Sequence, residues 1–271
     1  LIGVRYIYHE NFKNHATPNV ALMYKPGKFN FRASYAAGFR TPTLSELYAT
    51  DIAKKNDRLT IGNLDLKPEK NNYFSLSAEY VHERFSVSVN AFYNNIRDMI
   101  DYNTIATGDK AMEQYGHKEV RQRDNIAEAK VHGINVSANA YLGAGFNLSG
   151  GYTHLNTQDV ELEQPIDKSI KNAYNINAQW AHSWKIYRLN INLNGRINSK
   201  RFSKSYGYAP EYQLWDLNTR HSFNLKSVII EPGFGMENLF DYMDDRPYNS
   251  NYATLTPGRS FYISLSLKFK S

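Results

Sequence analysis

Residues 85–94 read FSVSVNAFYN, and every second residue, starting with the first, is apolar or aromatic. The intervening positions are Ser or Asn, apart from Phe92. A two-residue period is that of a β-strand whose two faces differ. The same alternation recurs at 174–180 (YNINAQW), 187–194 (YRLNINLN) and 261–269 (FYISLSLKF). These strands are therefore predicted to have one apolar face and one face rich in Asn and Ser.

The alternation extends along the whole chain and predicts about twelve strands, separated by connections of two kinds. The strands are predicted near 2–9, 18–25, 28–37, 71–81, 85–99, 125–141, 145–155, 169–182, 186–198, 211–221, 227–238 and 258–269. The long loops are predicted at 10–17, 38–70, 100–124, 156–168, 199–210 and 239–257. Short turns connect the other strand ends. Transmembrane barrels have short periplasmic turns and longer outer loops. The spacing thus predicts an all-β fold, an antiparallel transmembrane β-barrel.

The composition is compatible with a membrane barrel and argues against several other classes. Mean hydropathy is −0.58 and the sequence has no apolar run of 18 residues, so no transmembrane helix is expected. A barrel strand turns only every second side chain to lipid. The 21 Tyr suit a protein that places amphipathic rings at a membrane interface. Because there is no Cys, disulfides and thiolate sites are excluded.

Charge patterning disfavours nucleic acid as a partner. The net charge is +6, but residues 38–69 hold five basic and five acidic residues, interspersed. Nucleic-acid binding would need a clustered basic footprint. A soluble antiparallel β protein remains the alternative fold class, although such a fold has no reason to place every long loop at one end.

Four motifs occur in order along the chain and carry a family resemblance. They are AGFRTPTLSELY at 37–48, GNLDLKPE at 62–69, NIAEA at 125–129 with Gly133, and ENLFD at 237–241 with the closing alternation. These motifs resemble those of TonB-dependent outer-membrane receptors. The matching residues are Phe39, Arg40, Pro42, Leu44, Glu46, Leu47, Asn63, Leu66, Pro68, Glu69, Asn238, Leu239, Phe240 and Phe269. Lys270 and Ser271 depart from the pattern, because family members usually finish on the aromatic residue.

The resemblance implies a 22-stranded barrel filled by a plug domain. Residues 1–271 would be its C-terminal portion, with the plug and about ten first strands absent. The implied partners are TonB through that plug, the remaining barrel half, outer-membrane lipid and lipopolysaccharide, and a small nutrient ligand. A surface lipoprotein is a further candidate partner. The implied location is the bacterial outer membrane of a Gram-negative cell.

The implied function is import of a scarce nutrient, with an iron-siderophore favoured over cobalamin or haem. In the haem-transporting branch a histidine between the first two motifs ligates iron, and residues 43–62 contain no His. The alternatives are a passive outer-membrane pore and a self-contained twelve-stranded barrel protein. No G-x-S-x-G motif is present, so we expect no enzyme and no catalytic residue. His15, His117 and His154 lie in or near the predicted outer loops without metal-ligand spacing, so we expect no metal, and we predict no cofactor.

Rings and polar donors of the predicted outer loops are the candidates for ligand contact, because rigid amphipathic side chains suit capture of large ligands. They are Arg40, Tyr48, Tyr102, Tyr115, Arg201, Tyr206, Tyr208, Tyr248 and Tyr252. Two other interpretations of these residues compete with ligand contact. Many of these rings could belong to the interfacial girdle, and the Arg40 to Pro42 segment could anchor loops through the donor fork of arginine.

Overall fold

The computed structural model describes residues 1–126, 128–203, 207–244 and 256–270. Its elements are β1 (Ile2–His9), β2 (Lys13–Tyr24), β3 (Phe29–Arg40), α1 (Leu44–Tyr48), β4 (Thr50–Ala53), β5 (Arg58–Ile61), β6 (Glu69–Val81), β7 (Phe85–Arg97), β8 (Ile100–Thr107), α2 (Gly108–Tyr115), β9 (Glu119–Asn125), β10 (Ala129–Gly143), β11 (Phe146–Asp159), β12 (Asn172–Trp184), β13 (Tyr187–Asn198), β14 (Arg201–Ser203), β15 (Gly207–Ala209), β16 (Tyr212–Asn224), β17 (Val228–Glu237) and β18 (Ser260–Phe269). None of the helices in these ranges is long and apolar enough to cross a membrane.

Twelve long strands form one antiparallel sheet in the order β1-β2-β3-β6-β7-β10-β11-β12-β13-β16-β17-β18. Each strand pairs with the next long strand along the chain, so the sheet is a simple meander. The predicted twelve-stranded antiparallel architecture is confirmed. β1 and β18 form the two edges of the sheet, and neither pairs with a further strand among the described residues. The self-contained twelve-stranded barrel considered above is therefore not what these residues form.

The two faces of the sheet differ as the alternation predicts. Phe85 and Val87 expose 42% and 38% of their surface, whereas Ser86 between them is half-buried. Polar side chains join neighbouring strands on the other face, where Asn177 donates to Asn194 at 2.6 Å. The exposed face is thus the apolar one, which suits a sheet that meets lipid on one side and a polar interior on the other.

Strand boundaries differ most from the predicted ones in β2, which begins at Lys13 instead of near residue 18. The turn before it is short, because His9 and Lys13 are register partners. Pro18 is tolerated inside the strand since the pairing of β2 with β3 starts only at Asn19. The predicted loop at 10–17 is therefore mostly strand.

Two of the predicted outer loops, 38–70 and 100–124, contain secondary structure of their own. They supply a second sheet in the order β4-β5-β9-β8, in which β5 and β9 are parallel and join the two segments. We call it the outer sheet. Helix α2 contacts β8 and β9, and Ala111 and Val120 on these elements are fully buried. The outer sheet thus has a small apolar core above the long strands.

Candidate functional site

An ion-pair network holds the two ends of the first outer segment, residues 41–68, at the long strands. Arg40 ends β3, Glu69 begins β6, and the two residues are register partners. The guanidinium donates from Nε and Nη2 to the two carboxylate oxygens of Glu69 at 2.7 and 2.6 Å. Nη1 donates to Glu46 of α1 at 2.9 Å. The planar fork of arginine thereby holds both carboxylates at once.

Helix α1 is placed against this network by a capping box. The Thr43 hydroxyl accepts from the backbone N–H of Glu46 at 3.2 Å, and the Glu46 carboxylate accepts from the backbone N–H of Thr43 at 2.8 Å. Burial opposes ionisation of Glu46. The hydrogen bonds from Arg40 and Thr43 outweigh that effect and hold the pKa of its carboxyl below the ordinary value of 4.5.

We expect the ordering of residues 41–48 to weaken in acid. Because the folded pKa of Glu46 is depressed, its contribution to stability is complete above the ordinary pKa and disappears as the pH falls through the folded pKa. Amide hydrogen exchange in this segment should accelerate, beyond the intrinsic effect of pH, as the pH falls below about 4.5. The Glu46→Gln variant should show a flatter pH dependence, and equal slopes in both proteins would contradict the assignment.

Asn125 anchors the second outer segment, which follows β7, beside this ion-pair network. Its Oδ1 accepts from the backbone N–H of Lys67 at 2.6 Å, and its Nδ2 donates to the carbonyls of Lys67 and Asp98 at 2.8 and 2.6 Å. Glu69 also accepts from the backbone N–H of Ile100 at 2.9 Å. Residues from the first three motifs therefore meet at one point, where the outer segments leave the long strands. We call Arg40, Glu46, Glu69 and Asn125 the motif clamp.

Gly62 shows how closely the first two motifs pack. A Cβ on this residue would lie 2.5 Å from the carbonyl oxygen of Leu47 and 2.8 Å from the backbone nitrogen of Tyr48. The next residue, Asn63, donates its N–H to the carbonyl of Glu46 at 3.0 Å. A side chain at position 62 would thus push helix α1 off the clamp.

One face of the outer sheet gathers arginine side chains beside a tyrosine. Tyr102 of β8 and Arg123 of β9 are register partners and share this face. Arg121 lies two residues earlier on the same face. Arg58 of β5 is the partner of Glu119, which precedes Arg121 by two residues, so it shares the face as well. We call Arg58, Arg121, Arg123 and Tyr102 the arginine–tyrosine face.

The contacts on this face leave donor capacity available. The guanidinium carbon of Arg123 lies 3.5 Å from the ring centroid of Tyr102, in cation–π range. Arg121 donates from Nε to Glu119. The Nε of Arg58 is buried and has no hydrogen-bond partner among the described residues. Tyr102 keeps 42% of its surface exposed. Arg123 also donates from Nη2 to the Tyr102 hydroxyl. The other N–H groups of Arg121 and Arg123 have no hydrogen-bond partner among the described residues, so the face can offer these donors and the exposed part of the Tyr102 ring to an anionic aromatic ligand.

The predicted ligand-contact residues lie on separate elements. Arg40 is held in the motif clamp, Tyr102 lies on the arginine–tyrosine face, and Tyr48 is 63% exposed at the end of α1. Tyr115 is half-buried at the end of α2. Among the six candidates that lie in the described residues, Tyr102 is the one that contacts an arginine of the outer sheet, Arg123.

Two further candidates lie on the short β14–β15 hairpin. Arg201 begins β14, and Tyr208, which is 56% exposed, meets the ring of Phe202 edge to face at 5.3 Å. Tyr206, Tyr248 and Tyr252 lie outside the described residues. The hairpin presents an exposed aromatic surface apart from the outer sheet.

Most remaining motif residues have structural contacts. Phe39 stacks on His15 with ring centroids 3.8 Å apart, and Leu66 is only 3% exposed. Asn63 accepts from the N–H of Asp65 at 2.9 Å, the expected turn chemistry. Other positions range from buried to exposed: Pro42 is buried, Leu47 and Pro68 are half-buried, and Leu44 is 77% exposed.

The last motif forms a turn at the end of β17. Asn238 has a positive φ of 51° and is 5% exposed. Its side chain accepts from the N–H of Tyr242 at 2.8 Å and donates to the carbonyl of the same residue at 2.7 Å. Leu239 donates to the carbonyl of Trp215, while Phe240 and Phe269 are 62% and 81% exposed.

Sequence reasoning did not find Arg58, Arg121 and Arg123 as a group. Signals for secondary structure in the outer segments were nevertheless present. Thr43 and Glu46 have capping-box spacing, which indicates the start of helix α1. Residues 119–123 read EVRQR, a short charged alternation that is compatible with a strand. No local signal indicated the parallel pairing that brings Arg58 beside this strand.

Similar solved structures include siderophore receptors and a copper transporter, and each match covers nearly all of this chain. The ferric enterobactin receptor PfeA of Pseudomonas aeruginosa, solved as a mutant with enterobactin, has a TM-score of 0.75 at 20% identity, covering 98% of this chain and 43% of PfeA. The siderophore receptor PirA of Pseudomonas aeruginosa has a TM-score of 0.71 at 17% identity, covering 100% and 45%. The copper transporter OprC has a TM-score of 0.69 at 14% identity, covering 95% and 40%.

The chain spans less than half the length of these solved proteins, and their low identity shows the fold alone. The family model for the TonB dependent receptor-like β-barrel matches residues 1–239. Receptors of this family are outer-membrane transporters and not enzymes, in agreement with the predicted location and with the absence of a predicted catalytic site. The chain therefore belongs to the TonB-dependent receptor β-barrel family.

Proposed function

We propose that the receptor containing this chain imports an anionic ferric siderophore, and that the arginine–tyrosine face contacts it. The observation that carries the proposal is the alignment of Arg58, Arg121 and Arg123 on one face beside Tyr102. A ferric complex of three catecholates carries negative charge and flat rings. Guanidinium groups bind anionic oxygens strongly and also stack on aromatic rings.

The charge of the face favours this ligand class over a corrin. Glu119 offsets part of the positive charge through its contact with Arg121, and Asp51 lies on the same face because its register partner is Thr60. The face therefore carries three arginines and two acidic residues, and its net charge is positive. A large ligand with little net charge would gain less from the remaining guanidinium donors than an anion would, while the cost of desolvating them on binding would be the same.

Haem is disfavoured because residues 43–62, where the haem-transporting branch carries an iron-ligating histidine, contain no His. The similar structures include siderophore receptors, one of them with enterobactin, which also supports a siderophore as the cargo.

We infer that transport is driven through TonB and a plug domain outside this chain. The motif clamp supports a role of the outer segments in transport, because it joins them rigidly to strands of the barrel wall. A passive pore would need no such anchoring of a binding face. In a strain without TonB, uptake by the complete receptor should stop, whereas continued uptake would indicate a pore.

Removal of two guanidinium groups should impair uptake. We expect the complete receptor with Arg121→Ala and Arg123→Ala to import a labelled ferric tris-catecholate at least about tenfold more slowly below saturation, since a hydrogen bond to a charged group contributes roughly 1.5–3 kcal/mol. The matched control is Lys54→Ala with Lys110→Ala, which removes two cations of the outer segments but none of the face. It should stay within about twofold of the unmodified receptor.

Uptake is measured in cells without other iron receptors, with cobalamin and haem supplied in parallel assays. Equal uptake by the double variant and the control would remove the arginine–tyrosine face from the binding site. Uptake of cobalamin or haem, but not of the ferric chelate, would contradict the siderophore proposal itself.

A further inference from the structure

The short turns of the large sheet lie together at one end and are strongly basic. They comprise residues 25–28, 82–84, 144–145, 185–186 and 225–227, and Lys270 follows β18 at the same end. Their charged residues are Lys25, Lys28, Arg84, Lys185, Lys226 and Lys270, with Glu83 as the one acid. We call these turns with Lys270 the short-turn rim. The segments at the opposite end hold nineteen acidic and fifteen basic residues, so among the connecting segments the basic excess lies at the short-turn end.

The cations of the rim are available to a partner. All six are exposed. Among the described residues no ion pair involves Lys25, Lys28, Arg84, Lys185 or Lys226. Lys270 donates to the carbonyl of Leu225 at 2.8 Å, which places its ammonium group beside the turn that contains Lys226.

An aromatic belt lies directly next to the rim on the apolar face. Its rings are at the strand ends: Tyr24, Phe29, Tyr80, Phe85, Phe146, Trp184, Tyr187, Phe223 and Phe269. Neighbouring rings touch across strands, as in Trp184 with Tyr187 at 5.5 Å and Tyr187 with Phe223 at 5.0 Å between centroids. Such girdles mark the level where the hydrocarbon of the membrane meets water.

The position of the belt indicates the depth of the cations in the membrane. Each charged turn lies within a few residues of a belt ring, just beyond the end of the apolar strand face. Short turns are periplasmic in barrels of this kind. The rim cations are thus level with the headgroups of the periplasmic leaflet, and a soluble partner would have to compete with those headgroups.

We propose that the short-turn rim binds anionic phospholipid headgroups of the periplasmic leaflet. The headgroup phosphates accept hydrogen bonds from the ammonium groups, while the acyl chains lie along the aromatic belt. Each cation close to an anionic surface strengthens binding by roughly fivefold. The rim therefore orients the barrel and gathers acidic lipid around it, whatever cargo the receptor carries.

The test uses the complete receptor in phosphatidylcholine vesicles that contain about a third phosphatidylglycerol. The rim variant is Lys25→Gln, Lys28→Gln, Lys185→Gln and Lys226→Gln. The control is Lys54→Gln, Lys55→Gln, Lys110→Gln and Lys118→Gln, which removes the same charge from the outer segments. The preference for spin-labelled phosphatidylglycerol over phosphatidylcholine is measured at low and high salt.

The unmodified receptor and the control should prefer phosphatidylglycerol severalfold at low salt, with the preference falling as salt rises. The rim variant should lose most of that preference, and Lys185→Gln alone should lose part of it. A change in gel migration on heating verifies that each unheated protein is folded. Equal preference in the rim variant and the unmodified receptor would overturn the proposal. So would displacement of the lipid by soluble polyglutamate, which would assign the rim to an acidic protein.

Discussion

Replacement of Arg40 by alanine should release the outer segment at residues 41–68 from the barrel strands. The substitution removes the donors that hold Glu46 and Glu69, whose side chains are only 13% and 17% exposed. Removal of one partner from a buried ion pair costs about 3–5 kcal/mol. Because the Arg40 side chain is itself 42% exposed, water will recover part of that loss. We expect a local destabilisation of about 2 kcal/mol, roughly a thirtyfold rise in the open population.

The readout is amide hydrogen exchange and limited proteolysis of residues 41–68 in the complete receptor. Arg32→Ala is the matched control, since it removes an arginine from the same strand but none of the clamp contacts. Arg40→Lys should fall between the two, because an ammonium keeps the charge but cannot form the two-sided fork. If residues 41–68 exchange equally slowly in Arg40→Ala and Arg32→Ala, the clamp is not what orders the segment.

The 271-residue chain alone should not form a stable closed barrel in lipid. β1 and β18 each leave one edge without a strand partner among the described residues. Lipid offers no hydrogen bonds to the exposed N–H and C=O groups, and each unsatisfied group costs several kcal/mol. Summed over two edges, the penalty is on the order of tens of kcal/mol, which exceeds the usual 5–15 kcal/mol stability of a folded protein.

Gel migration with and without heating measures directly whether the chain forms a folded barrel. The complete receptor should migrate as a compact, heat-modifiable species in lipid or detergent, whereas the chain alone should aggregate or remain unfolded. Hydrogen exchange at β1 and β18 provides an independent check. A monomeric chain that migrates as a folded barrel, with both edge strands protected, would refute the prediction and show that the edges are satisfied internally.

The long strands could be predicted from sequence because their signal is local. In β7 every second residue is apolar or aromatic from Phe85 to Tyr93, and the structure leaves those residues exposed while the residues between them are half-buried. The motif residues were also recognisable, and the interpretation of the Arg40 segment as a loop anchor matches its contacts with Glu46 and Glu69.

The outer sheet could not be predicted in the same way, since its contacts are non-local. Arg58 and Glu119 are sixty-one positions apart and pair in parallel, which no periodicity within either segment indicates. The side-chain amide of Asn125 forms hydrogen bonds with the backbone of Lys67 and Asp98, and no sequence pattern around Asn125 predicts that role. The arginine–tyrosine face depends on this pairing, so it becomes visible only in three dimensions.

The parallel pairing of β5 with β9 also sets an order of events during folding. These two strands flank the β6–β7 hairpin in the chain, and β9 follows β8 and α2. A parallel pair cannot close through a tight turn and needs a long crossover, which the hairpin supplies here. We therefore expect the outer sheet to assemble after β6 and β7 have joined, because that hairpin brings the ends of β5 and β9 closer together and lowers the entropy cost of pairing them.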